Sequence, residues 1–264
     1  MPTRESYEQG TPSWVDLATT DLAAAKEFYA AVFGWDYDDQ ETPDGVGYSM
    51  ALIDGKTVAG LSQMGPETAE QMPPMWNTYL AVDDLDAVVG EVPASGGQVM
   101  VPAMDVMEHG RMAYIVDPSG AAVGLWQARA HTGAQLVNEP NTLCWNECFT
   151  EHVESAAKFY DAVLGTTHAT ADMGNGQMYT TLMVGERQVA GLMRRDPEQH
   201  PQIPNAWTVY FATSDIDGAV ATINEAGGSV MNGPFPTPPG PMLVAADPQG
   251  AVFQVIELQQ GAGG

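Results

Sequence analysis

The chain has 264 residues, 44% of them hydrophobic, including six Trp and 15 Met. That is a globular composition, long enough for one large domain or two of ordinary size. Against 34 acidic residues stand nine basic ones, a formal net charge of −25; such a surface repels phosphate backbones and anionic lipid, which argues against nucleic acid and membrane partners and favours cationic ligands.

No apolar run reaches the roughly 18 residues of a membrane span. The opening MPTRESYEQGTPSW has no apolar stretch of a secretory leader, so a cytoplasmic protein is expected. A first strand is predicted at WVDLATT, from Trp14. Asp21 is placed to cap a helix whose apolar stripe is Leu22, Ala25, Phe28, Tyr29, Val32 and Phe33, and Gly34 stops it. YSMALIDGKTVAGLSQM then predicts two strands joined by a tight turn at Asp54-Gly55. WNTYLAVDD from Trp76 predicts another strand, residues 84 to 94 a second helix, and Gly96-Gly97 its end. Strands follow near QVMVPA, MAYIVDP and AVGLWQA. Each run of this kind has the pattern βαβββ.

The whole pattern then recurs. Trp14 to Gly34 matches Trp145 to Gly165 at an offset of 131, and the same offset relates Tyr48 to Tyr179, Val58 to Val189, Trp76 to Trp207, Tyr79 to Tyr210, Asp84 to Asp215, and Gly96-Gly97 to Gly227-Gly228. One deletion shortens the offset to 130 and carries DPSG at Asp117 onto DPQG at Asp247. So many coincidences in one register identify a duplication, with its boundary in HTGAQLVNEPN and domains expected at 1–132 and 133–264. A weaker inner repeat spaces Trp14 from Trp76, and Trp145 from Trp207, by 62 residues. Cys144 and Cys148 share one predicted strand, about 13 Å apart, beyond disulfide reach, and are expected as reduced core thiols.

The motifs W-V-D-L, D-L-x-A-A-K-x-F-Y, F-G-W, A-V-D-D-L-D-A, G-G-x-V and DP-x-G resemble those of the vicinal oxygen chelate superfamily, which holds glyoxalases, bleomycin-resistance proteins and extradiol dioxygenases. E-x-x-x-x-G-T-P-x-W-V-D-L and M-P-P-x-W-N-T-Y are most similar to the tandem actinobacterial glyoxalase-like proteins, a group that includes a mycobacterial culture-filtrate antigen and resembles proteins of aromatic polyketide pathways. The resemblance implies an α+β fold: four βαβββ units paired into two tandem open barrels, each around a cavity.

It also implies where a metal would be held: on the first strand of each unit and on the strand after DP-x-G. Those slots hold Trp14, Asn77 and Gly124 in the first half, and Trp145, Thr208 and Gln254 in the second. None is His, Cys or carboxylate, the donors zinc and iron require. Asp16 and Glu147 are the nearby carboxylates, one per cavity. The histidines, at positions 109, 131, 152, 168 and 200, have no chelating spacing and are expected to face solvent. The expectation is therefore no metal, no cofactor and no assigned catalytic residue.

What remains suits a flat apolar guest. In the first half the ligand-binding set is Trp14, Asp16, Tyr48, Met50, Asn77, Tyr79, Met112, Tyr114 and Trp126, with Gly124 leaving room; in the second it is Trp145, Glu147 and Trp207. The guest expected is a hydrophobic aromatic small molecule, antibiotic- or polyketide-like, whose amino group, where it has one, could pair with Asp16. The protein would be a monomer or homodimer serving resistance or a tailoring enzyme. The alternative is a glyoxalase-like lyase, isomerase or hydroxylase using a divalent metal through Asp16, Glu147, Glu108 or His109. The prolines from Pro234 to Pro241 are expected to lid the second cavity, making the first the working site. The terminal GAGG is expected to be disordered.

Overall fold

The computed structural model describes residues 3–42, 45–174, 176–198 and 203–258. His200 and the terminal GAGG lie outside them. In the first half, β1 (Pro12–Thr19), α1 (Leu22–Phe33), β2 (Asp36–Gln40), β3 (Tyr48–Ile53) and β4 (Lys56–Gln63) make one unit. A short helix α2 (Pro66–Gln71), not foreseen in the sequence, leads to the second unit: β5 (Met75–Ala81), α3 (Leu85–Glu91), β6 (Gln98–Val106), β7 (Gly110–Val116) and β8 (Ala122–Ala128). Pro66 occupies the first helical position of α2, where no N–H is needed. The second half repeats the plan with β9 (Leu143–Thr150), α4 (Val153–Leu164), β10 (Thr167–Asp172), β11 (Met178–Val184) and β12 (Arg187–Arg194), then β13 (Ala206–Thr213), α5 (Ile216–Glu225), β14 (Ser229–Thr237), β15 (Gly240–Ala246) and β16 (Val252–Glu257).

The predicted local signals account for the elements. The Asp21 carboxylate accepts from the Ala24 amide, and Gly34 closes α1 with φ +68°. Asp84 caps α3 and Asp215 caps α5 in the same way. Asp54 and Gly55 both adopt positive φ, the tight hairpin turn expected between β3 and β4.

Each half forms one eight-stranded mixed sheet, ordered β2-β3-β4-β1-β5-β8-β7-β6 and β10-β11-β12-β9-β13-β16-β15-β14. The two units of a half meet through an antiparallel central pair, β1 with β5 and β9 with β13. Alternation along these strands separates two faces. Val15, Leu17 and Trp76 point to the helices, while Trp14, Asp16, Asn77 and Tyr79 point to the other face.

The helix-side faces of the two halves pack on each other, and the core is divided crosswise. One cluster joins α1 and β1 of the first half to β13, α5 and β16 of the second; the other joins α3, β7 and β8 to α4, β9 and β12. The repeated motifs form the interlock. The Tyr29 hydroxyl donates to Asp247 at 3.1 Å, and Tyr160 donates to Asp117 at 3.1 Å. Trp76 and Trp207 each donate an indole N–H to the tyrosine of their own half, at 2.9 Å. Gly97 faces Phe159 and Gly228 faces Phe28; a Cβ there would lie 2.6 and 2.7 Å from the ring. The second glycine of each pair therefore admits the other half's phenylalanine, which its sequence position alone does not disclose.

Two expectations fail here. The run from Pro234 to Pro241 is no lid: it lies in the edge strand β14 and its hairpin with β15, where a proline needs no ladder partner. Trp207 does not join Trp145 and Glu147. Its odd-even position on β13 sends it to the helix side, against Tyr160.

Candidate functional site

The concave face of the first half gathers the rest of its predicted set. Trp14 and Asp16 come from β1, Tyr48 and Met50 from β3, Asn77 and Tyr79 from β5, Met112 and Tyr114 from β7, and Trp126 from β8. Register places Asp16 beside Asn77 and Gly60, and Tyr79 beside Trp14 and Gly124. Trp14 donates its indole N–H to the Tyr48 hydroxyl at 3.1 Å. Asp16 accepts from the Asn77 amide at 2.9 Å and from the Tyr79 hydroxyl at 3.0 Å, and Tyr79 is hydrogen-bonded in turn to the Tyr114 hydroxyl. Gly60 is required by this arrangement: a Cβ there would stand 2.0 Å from the Tyr48 oxygen.

Asp16 is 8% exposed. Burial raises its pKa to about 6, against the lowering effect of its two hydrogen bonds from Asn77 and Tyr79. It is thus a carboxyl that changes charge close to neutrality in a face otherwise made of aromatic rings and thioethers.

The room expected at Gly124 is taken. A Cβ at that glycine would lie 2.3 Å from the Tyr79 ring, so the missing side chain makes space for Tyr79 itself. The face is further covered by the connection between the halves. Ala134, fully buried, bonds its amide to the Ser13 carbonyl and belongs to the cluster of Trp14, Tyr79 and Trp126. The His131 imidazole sits edge-on to both Trp14 and Trp126, with ring centroids 4.4 and 5.7 Å away. Its Nε2 is buried with no hydrogen-bond partner among the described residues, and burial lowers its pKa to about 4, so the ring is neutral at pH 7. This histidine was expected in solvent; its position after a strand gave no hint that the connection folds back over β1. Trp126 alone of the predicted set also lines a cleft of about 200 Å³ with Tyr7, Ser13, Gln127 and Thr132.

Glu108 is exposed at the β6–β7 turn, where backbone bonds join Glu108 and His109 to residues 129 to 131, and the Asp16 bonds go to Asn77 and Tyr79 instead. His168 pairs with Asp161 at 2.6 Å.

The second concave face keeps the tryptophan, two tyrosines and a methionine of the first, at Trp145, Tyr179, Tyr210 and Met242. Trp145 donates to the Tyr179 hydroxyl at 3.0 Å, as Trp14 does to Tyr48. Glu147 stands in the place of Asp16; it is 4% exposed, accepts from Tyr210 at 2.6 Å and is hydrogen-bonded to Tyr179. Burial raises its pKa. Gln254, at the position of Gly124, donates to the Thr208 hydroxyl at 3.1 Å and also bonds the Tyr210 hydroxyl. Trp145 is half-buried, whereas Trp14 is 3% exposed beneath the connection.

With this geometry established, comparison with known proteins is direct. The family model for the Glyoxalase/Bleomycin resistance protein/Dioxygenase superfamily matches residues 11–125 and again 131–255. A protein named "Putative glyoxylase CFP32", from Mycobacterium bovis, is 52% identical over 97% of this chain and 98% of its own length. "Anthracycline biosynthesis protein DnrV" of Streptomyces peucetius is 36% identical over 97% of this chain and 96% of its own length. Among solved structures, the Mn(II)-bound glyoxalase of Novosphingobium aromaticivorans shares the fold with a TM-score of 0.64 at 17% identity, covering 96% of this chain and 83% of that one. The 2,3-dioxygenase LapB of Pseudomonas sp. KL28 does so with a TM-score of 0.66 at 16% identity, covering 95% and 93%. A metal such as that manganese does not fit the donors found here. Each face offers one carboxylate already bonded by the chain's own side chains, and no group of three or more His, Cys, Asp or Glu among the described residues could hold a metal ion.

Proposed function

Taking as premise that the chain belongs to the Glyoxalase/Bleomycin resistance protein/Dioxygenase superfamily, we propose that it binds a hydrophobic aromatic small molecule without a metal. The site is the concave face of the first half: Trp14, Asp16, Tyr48, Met50, Asn77, Tyr79, Met112, Tyr114 and Trp126. The observation that carries the reading is the aromatic ring already there. Trp14 and Trp126 hold the His131 imidazole edge-on, so the face accommodates a flat ring against two indoles. A guest ring that displaces His131 would meet the same walls, with Met50 and Met112 adapting around it. The relation to an anthracycline biosynthesis protein supports an aromatic polyketide-like guest and a role in resistance or beside a tailoring enzyme.

The test is calorimetric titration with a neutral planar probe, 1,8-dihydroxyanthraquinone. Trp14→Ala is expected to weaken binding by more than about 1 kcal/mol, as loss of a buried aromatic anchor does. His131→Ala is expected to tighten it, because the ring to be displaced is gone. Unchanged affinity in both variants rules this face out as the site.

A further inference from the structure

We infer that the concave face of the second half is a separate binding site for a ligand ammonium group, received by Glu147 and the side-chain oxygen of Gln254. The inference rests on the preceding reading of this fold as a small-molecule binder, and adds the charged group that the guest must carry.

The observation that starts it is an unmet acceptor. Gln254 is 4% exposed and directs its amide N–H to Thr208, while its Oε1 is buried with no hydrogen-bond partner among the described residues. Buried acceptors are nearly always matched, so one that is not marks a missing donor. The side chain lies on the concave face, because its strand neighbours Phe253 and Val255 belong to the helix-side core. Register sets it beside Tyr210 and Val244.

A second, independent observation says what kind of donor is missing. Gln254 donates to Thr208, the direct cross-strand neighbour of Glu147, and the Tyr210 hydroxyl that donates to Glu147 also meets the Gln254 side chain, so the amide group and a carboxylate share one small region. Glu147 is 4% exposed, and among the described residues no ion pair with Arg, Lys or His offsets its charge. Its partners are the neutral hydroxyls of Tyr179 and Tyr210. A buried carboxylate without a countercharge, next to an open amide acceptor, suits a group that brings positive charge and several N–H donors together. An ammonium does both. A carboxylate or phosphate guest would be repelled, and a neutral aromatic guest would leave both acceptors as they are. Trp145 and Tyr179, half-buried at the rim, add ring faces toward which a cation is drawn. The net charge of −25 raises the local concentration of such ligands.

The first half lacks this feature. Asp16 has Asn77 as well as Tyr79 for partners, and Gly124 has no side chain to present an acceptor. The two faces would therefore select different guests, or different ends of one class.

The experiment uses tryptamine and its neutral counterpart 3-ethylindole, titrated calorimetrically into the full chain at pH 7.5. Wild-type protein is expected to bind tryptamine at least tenfold more tightly than 3-ethylindole. Gln254→Met keeps the volume and removes the acceptor; it is expected to fold normally and to reduce the preference at least fivefold. Glu147→Gln is expected to abolish it, and Glu154→Gln, which neutralises an exposed carboxylate on α4 outside both faces, to leave it unchanged. Equal binding of both probes overturns this inference while the aromatic-binder reading stands. A preference that survives Gln254→Met, or that Glu154→Gln removes, places the ammonium elsewhere and also overturns it. Binding of neither probe overturns this inference, while the aromatic-binder reading is decided by the anthraquinone titration.

Discussion

The two concave faces carry an indole, two tyrosines and a carboxyl at matched positions, and among their differences is one coupled pair. The first half has Tyr114 beside Gly124; the second has Val244 beside Gln254. With glycine present, the Tyr79 ring lies against the strand and its hydroxyl finds Tyr114 and Asp16. With glutamine present, no second tyrosine is available, and the glutamine amide bonds Tyr210 instead. A large residue on one strand is matched by a small one on its neighbour, so volume is kept while polarity changes. The carboxyl of the first face is met by Asn77 and Tyr79, whereas beside the carboxyl of the second face the Gln254 side-chain oxygen is left over. Duplication thus supplied two copies of one frame, and one strand pair gives the two faces different polarity.

Breaking that pairing should have the largest effect. Gly124→Gln sets a side chain where a Cβ alone would be 2.3 Å from the Tyr79 ring. The loss expected is about 3 kcal/mol in urea unfolding, the upper range for overpacking a core. The double variant Gly124→Gln, Tyr114→Val reproduces the second half's pair and should recover more than half of that loss. A single variant that loses less than about 1 kcal/mol would mean Tyr79 moves aside freely, and the two faces would then be interchangeable.

The same pairing shows what sequence could and could not reveal. The fold was legible because duplication made the signals countable: two Gly pairs and two F-Y helices at an offset of 131, and two DP-x-G turns at 130. Period-2 alternation places Trp14, Asp16, Asn77 and Tyr79 on one face, and the same parity sends Trp207, the counterpart of Trp76, to the helix side rather than to Trp145 and Glu147. Contacts across long sequence separations were not legible. That Gly124 holds a tyrosine ring rather than space, that Gly97 admits Phe159, and that His131 returns to Trp14 all depend on how strands meet in three dimensions. An isolated histidine in a polar connection carries no local periodicity to betray its burial.

Titration sharpens the comparison further. Asp16 has a folded pKa of about 6, above the roughly 3.9 of an unfolded aspartate. Between these values the folded chain binds the proton and the unfolded chain does not, so this group's contribution falls as pH rises from about 4 to about 6. A shift of that size corresponds to about 2 to 3 kcal/mol. Wild-type protein should therefore lose about 2 kcal/mol relative to Asp16→Asn on going from pH 4 to pH 7.5, read as the difference between their unfolding free energies. Glu147, also raised by burial, should give the same sign in a Glu147→Gln pair. A difference that grows in the opposite sense would mean that Asn77 and Tyr79 hold Asp16 ionised throughout.

The smallest expected effect tests whether the frame beneath the two faces is as symmetric as its sequence. Tyr29→Phe removes the hydroxyl that accepts from Trp76 and donates to Asp247; Tyr160→Phe removes its counterpart between Trp207 and Asp117. Each change leaves an indole N–H and one carboxylate oxygen without that partner. Each carboxylate keeps its backbone donors, from Ala251 and Gln249 for Asp247 and from Ala121 and Ser119 for Asp117. A loss of about 1 to 2 kcal/mol is therefore expected for either change. The two should agree within about 0.5 kcal/mol, because the donors, acceptors and distances match. Asp117 has two further neighbours: the Ser119 hydroxyl, which donates at 2.6 Å to the oxygen that Tyr160 does not touch, and the Cys148 thiol at a long 4.0 Å, too far to add much. If Tyr160→Phe were instead worse by more than about 1 kcal/mol, the halves would differ in the interlock as well as in their concave faces, and the pairing at 124 and 254 could no longer be read as the main divergence between them.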